Sequence, residues 1–389
     1  ATVADLFKTM VRKLLEPTAK EEAAEPEELE GQRGMLDLLI ALSPSLGNSH
    51  VTILYRAVKP MLLSADILLQ KKAYKVLTEL CNAHPTWATS ELTPLREALT
   101  EALPACLPSA KGKRLSCLQA IAGSLPTASL QEVLPSLLGE VVLACKELNV
   151  KTRSAAFEFL IGLSSSAERR TAGDEHAKAA AVRAILVMIA GGLAGNTAHM
   201  IAASLAALGR LTYEFKERAA LEHTFVQLFS TVLSLLAHKA QEVVKAAISF
   251  TKVALYALPP EAVQPLLPQL VPPMLTWCSN KHPHLKTQVR YVIERLVKRF
   301  GYDEMAQVTP EAHQRLLTHL RKQKVYAHNK AVERRAERDA RKGIGVDGAR
   351  YEEEQEAKAR RERHAEYEAM LEAEGEVGGE ADNAMDDAE

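Results

Sequence analysis

Aromatic residues are scarce in this chain, with Phe, Trp and Tyr together making up 5% of it. A core with so few rings leans on Ala, Leu and Val, which suits closely stacked helices better than a sheet. No segment of convincing length alternates polar and apolar residues, so strands are not expected. Cysteine is short of partners. The five cysteines (Cys81, Cys106, Cys117, Cys145, Cys278) are widely spaced inside apolar helical stretches, and none forms a CxxC or CxxxC pair. That argues against a disulfide framework or zinc site and for a reducing cytosolic or nuclear compartment. The chain opens at Ala1 without an initiator Met and reads as a piece of something longer. Its first turns, ATVADLFKTMVRKLL, are amphipathic and lack the apolar run of a secretory signal.

Net charge is nearly absent too: 48 Lys+Arg stand against 49 Asp+Glu. Taken whole, that excludes a generally basic nucleic-acid coat and an acidic disordered chain. Residues 184–209 hold no charge at all, but Gly191, Gly192, Gly195, Asn196, Thr197, His199 and Ser204 interrupt them. Two apolar helices around a GNTAH turn fit better than a membrane span. Motifs of chemistry are missing as well. GxxxxGK[ST], HExxH, GxSxG and an EF-hand loop do not occur. Gly343-Ile-Gly-Val-Asp-Gly348 spells GxGxxG, yet it sits between charged helical segments with no strand before it, and reads as a flexible break. His282-Pro-His284 has no third ligand at a useful spacing and reads as a turn. Trp87 and Trp277 read as packing or surface anchors rather than base-stacking platforms. No enzyme activity, cofactor or metal is expected.

What is present is a repeat. Six stretches place a small or aliphatic residue ahead of mostly apolar ones four and seven positions later. They are Ala73/Leu77/Leu80, Cys117/Ile121/Ser124, Ala156/Leu160/Leu163, Ser204/Leu208/Leu211, Ala246/Phe250/Val253 and Val289/Ile293/Leu296. Their starts lie 44, 39, 48, 42 and 43 residues apart, and the offsets put all three side chains on one helical face. Ser124 weakens the second copy. Three copies carry a basic residue three positions earlier: Arg114, Arg153 and Lys286.

A second amphipathic helix precedes each copy, clearest over 129–147 and 219–237. It is weakest over 261–278, where Pro265, Pro268, Pro272 and Pro273 must kink or shorten it. An acidic loop over residues 16–30, with seven Glu against Lys20, falls between helices at 3–15 and 33–43, which completes seven pairs. Pairs at about 40–47 residues per repeat predict an all-α, HEAT/armadillo-type solenoid of stacked antiparallel helix pairs.

The solenoid is expected over 1–305, followed by a long basic helix over 306–342 and a charged helix with a disordered acidic tail over 343–389. Thr309-Pro310-Glu311 predicts the helix start, with Thr309 as N-cap, and Leu316, Leu317 and Leu320 predict its docked face. From Arg321 to Lys342 nine basic residues face three acids. A helix over 310–342 would reach about 50 Å. Residues 352–389 hold 15 acids and four bases, a composition that shields a basic arm or engages basic proteins.

Several segments together resemble the ribosomal RNA-processing protein 12 family. LLQKKAYKVLTELC (68–81), CKELNVKTRSAAFEFLIGL (145–163) and GLAGNTAHMIAASLAALGRLTYEFK (192–216) carry the likeness. AQEVVKAAISFTKVAL (240–255), HLKTQVRYVIERLVKRFGYDEM (284–305) and RLLTHLRKQKVYAHNKAVERR (315–335) follow in the same order. Family members are considerably longer, so the chain resembles their C-terminal portion. The resemblance implies a nucleolar and nuclear scaffold of small ribosomal subunit assembly. It would bind pre-ribosomal RNA, assembly factors and ribosomal proteins during rRNA maturation and export, with links to the Ran GTPase and importins and none to a membrane. Candidate RNA contacts are the arm residues Arg321, Lys322, Lys324, Lys330, Arg334, Arg335, Arg338, Arg341 and Lys342. The cluster Lys286, Arg290, Arg295, Lys298 and Arg299 joins them. A nuclear transport receptor or cargo adaptor is the alternative, and a phosphatase-type regulatory scaffold is a third class.

Overall fold

A computed structural model of the chain describes residues 3–15, 26–278 and 283–322. These residues form helices and turns, with no strand among them. By its contacts the chain divides between Thr224 and Phe225 into two compact units.

The first unit begins with α1 (Val3–Leu15) and α2 (Pro26–Leu42). Pro26 opens α2 with Glu27, Glu28 and Glu30 in its first turns. Unpaired N–H groups and the helix dipole favour both Pro and acids there. The acidic loop expected over 16–30 is therefore corrected: its last five residues are helical, and 16–25 lie outside the described residues. Next come α3 (Asn48–Val58), α4 (Ile67–Ala83), the short α5 (Pro85–Ser90), α6 (Leu92–Ala102) and α7 (Lys111–Ser124). Then α8 (Thr127–Ala144) pairs with α9 (Val150–Arg170), and α10 (Glu175–Ala190) with α11 (Ala198–Glu214). Asp66, Asn149, Asp174 and Thr197 start α4, α9, α10 and α11 by accepting a hydrogen bond from the N–H three residues on. Each such cap contributes about 1 kcal/mol.

The repeat residues form the spine. Ala73, Leu77, Leu80, Cys117, Ile121, Ala156, Leu160, Leu163, Ser204, Leu208 and Leu211 are all buried. Ser124, the weak member, is half-buried. Helix α4 packs between α2 and α7, and α7 packs on α9, so each pair covers an apolar face that its neighbour leaves open. In the first three copies the position three residues before the triple carries a polar side chain that ties helices and turns together. Gln70, fully buried, donates to the carbonyls of Leu62 (3.0 Å) and Ala105 (2.9 Å) and accepts from the Leu107 N–H. Arg114, 3% exposed, grips Glu140 and donates to the Leu99 carbonyl at 2.8 Å. Arg153 donates to the carbonyls of Glu147 and Leu148. Burial opposes the Arg114 charge, yet Glu140 and Tyr74 more than offset it and hold the guanidinium above the usual arginine range.

The uncharged stretch 184–209 breaks as expected, through a 3-10 turn at Gly191–Ala194 into α11. Close approach requires glycine here: a Cβ on Gly192 would lie 2.1 Å from the Ser204 Oγ, and one on Gly195 would lie 2.9 Å from the Gly192 carbonyl oxygen. Two stretches, Glu175–Ala194 and Ala219–Ala237, are long and apolar enough to cross a membrane by length and composition. Both bury one face in the helical stack, through Val182, Ile185 and Ile189 in the former and Leu221, Phe225 and Val232 in the latter.

The boundary falls within α12 (Glu222–Leu233), which leads through a 3-10 turn to α13 (Gln241–Ala257) of the second unit. The proline-rich segment then breaks up as predicted, into α14 (Pro260–Val263), a 3-10 turn and α15 (Leu267–Leu275). Helix α16 (Pro283–Phe300) packs on α13, and Ala246, Phe250, Val253, Val289, Ile293 and Leu296 are buried. Among the described residues this gives the seven expected pairs. Gly301, at φ +90°, ends α16 in the left-handed region, and α17 (Tyr302–Val308) follows.

The expected start of the basic helix needs a correction. The Thr309 hydroxyl donates to the Met305 carbonyl at 2.7 Å and closes α17 instead of capping the next helix. The Gln314 amide ties the break by donating to the carbonyls of Ala306 and Thr309. A 3-10 turn at Glu311–His313 then leads into helical residues 314–322, with Leu317 and Leu320 buried as predicted and Leu316 only half-buried. The rest of the arm, the GxGxxG-like segment and the acidic tail lie outside the described residues.

Candidate nucleic-acid interface

The cations on α16 are not one cluster. Arg295, Lys298 and Arg299 line an open groove of about 660 Å³ between α13 and α16, together with Tyr256, Tyr291 and Glu294. Lys286 and Arg290 lie nearer the start of α16 and are absent from that lining. They flank Cys278, whose thiol burial pushes up and their charges pull part of the way back. Arg290 pairs with Glu294 at 3.1 Å.

Within the groove each basic residue has its own setting. The Arg299 guanidinium donates to the carbonyls of Leu255 and Leu258. Those carbonyls end α13, where a cation meets the negative end of the helix dipole. Burial, the main cause, pulls the Arg299 guanidinium below the usual arginine range. Arg299 is thus an anchor between repeats as much as a surface charge. Arg170 serves the first unit alike, donating to the carbonyls of Gly123 and Leu125 at the end of α7.

Arg295 donates to the Tyr291 hydroxyl at 3.2 Å and stands 5.7 Å from the ring centroid. Lys252, only 7% exposed, brings its ammonium to 5.7 Å from the same ring. Lys298 is exposed. Of the arm, Arg321 stacks its guanidinium 4.7 Å from the Tyr302 centroid and Lys322 is exposed. Lys324, Lys330, Arg334, Arg335, Arg338, Arg341 and Lys342 lie outside the described residues.

The residue pattern did not reveal Lys252, Tyr256 and Tyr291. The available signal was the i, i+4 pair Tyr291/Arg295, but Tyr256 stands 35 residues earlier and only the packing of α13 on α16 brings it near. The tryptophans do act as anchors. Trp87 is buried and donates to the Thr52 hydroxyl at 3.0 Å, and Trp277 donates to the Leu236 carbonyl at 2.7 Å. All five cysteines are free, four of them buried. Burial raises all five thiols, that of Cys81 to about 12. Among the described residues no three His, Cys, Asp or Glu side chains are grouped to hold a metal. His282 of the HPH pair lies outside them.

No protein-family model matches the chain. A Schizosaccharomyces pombe protein named for ribosomal RNA-processing protein 12 is 31% identical over 290 residues, covering 74% of this chain and 25% of its own length. The Saccharomyces cerevisiae ribosomal RNA-processing protein 12 is 30% identical over 304 residues, covering 74% of this chain and 24% of its own. Over that stretch the chain is homologous to the ribosomal RNA-processing protein 12 family. The human RRP12-like protein extends the match to 80% of this chain at 31% identity, with 24% of its own length covered. The chain spans about a quarter of the length of these curated relatives. Among solved structures, Kap121p bound to RanGTP is 16% identical with a TM-score of 0.46, covering 81% of this chain and 32% of its own. A designed armadillo repeat protein is 16% identical with a TM-score of 0.32, covering 65% of this chain and all of its own.

Proposed function

We propose that this chain is a non-catalytic scaffold segment in ribosome biogenesis, acting in rRNA processing within small-subunit precursors in the nucleolus and nucleus. Its stacked pairs present surfaces to assembly factors and ribosomal proteins, and its basic elements hold pre-ribosomal RNA through maturation and export. The relatives named for ribosomal RNA processing support the setting. The observation that carries RNA binding is the groove in which Arg295, Lys298 and Arg299 meet two tyrosines. Ran and importins are the further partners suggested by the family resemblance, and GTP-dependent binding to purified Ran tests them.

Crosslinking the chain in cells and sequencing the attached RNA tests the reading. Small-subunit precursor RNA is the expected product, and its absence from the recovered RNA contradicts it. In vitro, replacing Arg334, Arg335, Arg338 and Arg341 by Glu is expected to weaken RNA binding. It should also flatten the salt dependence by about 0.7 in log–log slope for each phosphate freed on single-stranded RNA. Unchanged affinity across a salt series contradicts a role for the arm.

A further inference from the structure

Among the described residues Tyr256 and Tyr291 are the two exposed aromatic rings, at 44% and 39%, and both line the groove between α13 and α16. Aromatics make up 5% of the chain, and nine of the sixteen described are buried, so two exposed rings sharing one basic groove stand apart. We propose that this groove binds unpaired RNA, with Tyr256 and Tyr291 as stacking platforms for bases and Arg295 and Lys298 along the phosphates.

The chemistry favours this occupant over others of the same charge. An acidic peptide satisfies the cations, but its carboxylates are repelled by the negative faces of the rings. A nucleobase stacks on those faces while its phosphate takes the cations, so both features of the groove are used by one ligand. A duplex keeps its bases stacked on one another and offers no free face, so the rings select unpaired strand. The platform is also braced before any ligand arrives. Tyr291 is held through its hydroxyl by Arg295 and through its ring by the buried Lys252. Arg299 fixes α16 to the end of α13, where Tyr256 stands.

The proposal rests on the RNA-binding reading above and narrows it to one groove and one form of RNA. Its test is the affinity of the 389-residue chain for a short oligouridine and for a duplex RNA of equal length. Two paired variants are compared, Tyr256→Leu/Tyr291→Leu and Tyr256→Phe/Tyr291→Phe, with thermal melts confirming that each folds. The Leu pair is expected to lose about tenfold or more in oligouridine affinity, the scale of losing base–aromatic stacking. The Phe pair is expected to keep the affinity, and neither pair to change duplex binding. Wild-type oligouridine affinity in the Leu pair overturns the proposal and leaves the RNA reading standing if the arm variant still loses binding. Equal losses in the Phe and Leu pairs, or displacement of the RNA by polyglutamate as readily as by oligouridine, overturn it as well. No binding of either RNA by any form at low salt removes both.

Discussion

Two grooves run between the second helices of neighbouring repeats, and they differ in what lines them. In the first unit a groove of about 640 Å³ lies over α4, α7 and α9. Its wall holds Thr78, Asn82, Ser116, Gln119, Gly123, Gly162 and Ser166, with Arg169 as its one cation. In the second unit the groove over α13 and α16 is walled by tyrosines, arginines and a lysine. The architecture is the same, so the difference between the two walls lies in a few residues on the second helices. The arginines tell the same story. Arg114, Arg153 and Arg170 are committed to carbonyls and carboxylates inside the first unit. Arg295 and Lys298 open onto a surface, and Arg299 does both.

That contrast makes separable predictions. Arg114→Ala strips Glu140 of its partner and leaves the Leu99 carbonyl without its buried donor. Losing one member of such a pair costs about 3 kcal/mol, at the low end because Glu140 is 22% exposed. Denaturant melts should show that loss of stability, and RNA affinity at a temperature where the chain is folded should not change. A drop in affinity there would blur the division between bracing and binding arginines. Arg299→Ala is expected to cost about 1–2 kcal/mol, the worth of hydrogen bonds from a charged donor near the surface, and to weaken RNA binding as well. Lys298→Glu is the smallest in stability, within about 0.5 kcal/mol as for other exposed sites, and it should lower RNA affinity alone. Finding that Lys298→Glu melts early while binding normally would reverse the assignment.

How far the sequence foretold this differs between core and surface. The six triples were legible because burial on one helical face repeats at fixed offsets, and every member but Ser124 is buried. The break at Gly191–Thr197 and the fragmentation of 261–278 were legible because glycine and proline act locally. Thr309 misled: its place before Pro310-Glu311 suits an N-cap, but its hydroxyl met the Met305 carbonyl first, a contact set by α17. The basic cluster on α16 was visible as composition, yet its division was not. Whether an arginine faces solvent, as Arg295 half does, or a helix end, as Arg299 does, depends on a neighbour more than 30 residues away. The tyrosines escaped for the same reason.

The measurement that bears most directly on the account is to photocrosslink the full chain to unpaired RNA and identify the attached peptides. Crosslinks are expected at Tyr256 and Tyr291 and through the basic arm up to Lys342. Crosslinks confined to the groove over α4, α7 and α9 would contradict the account.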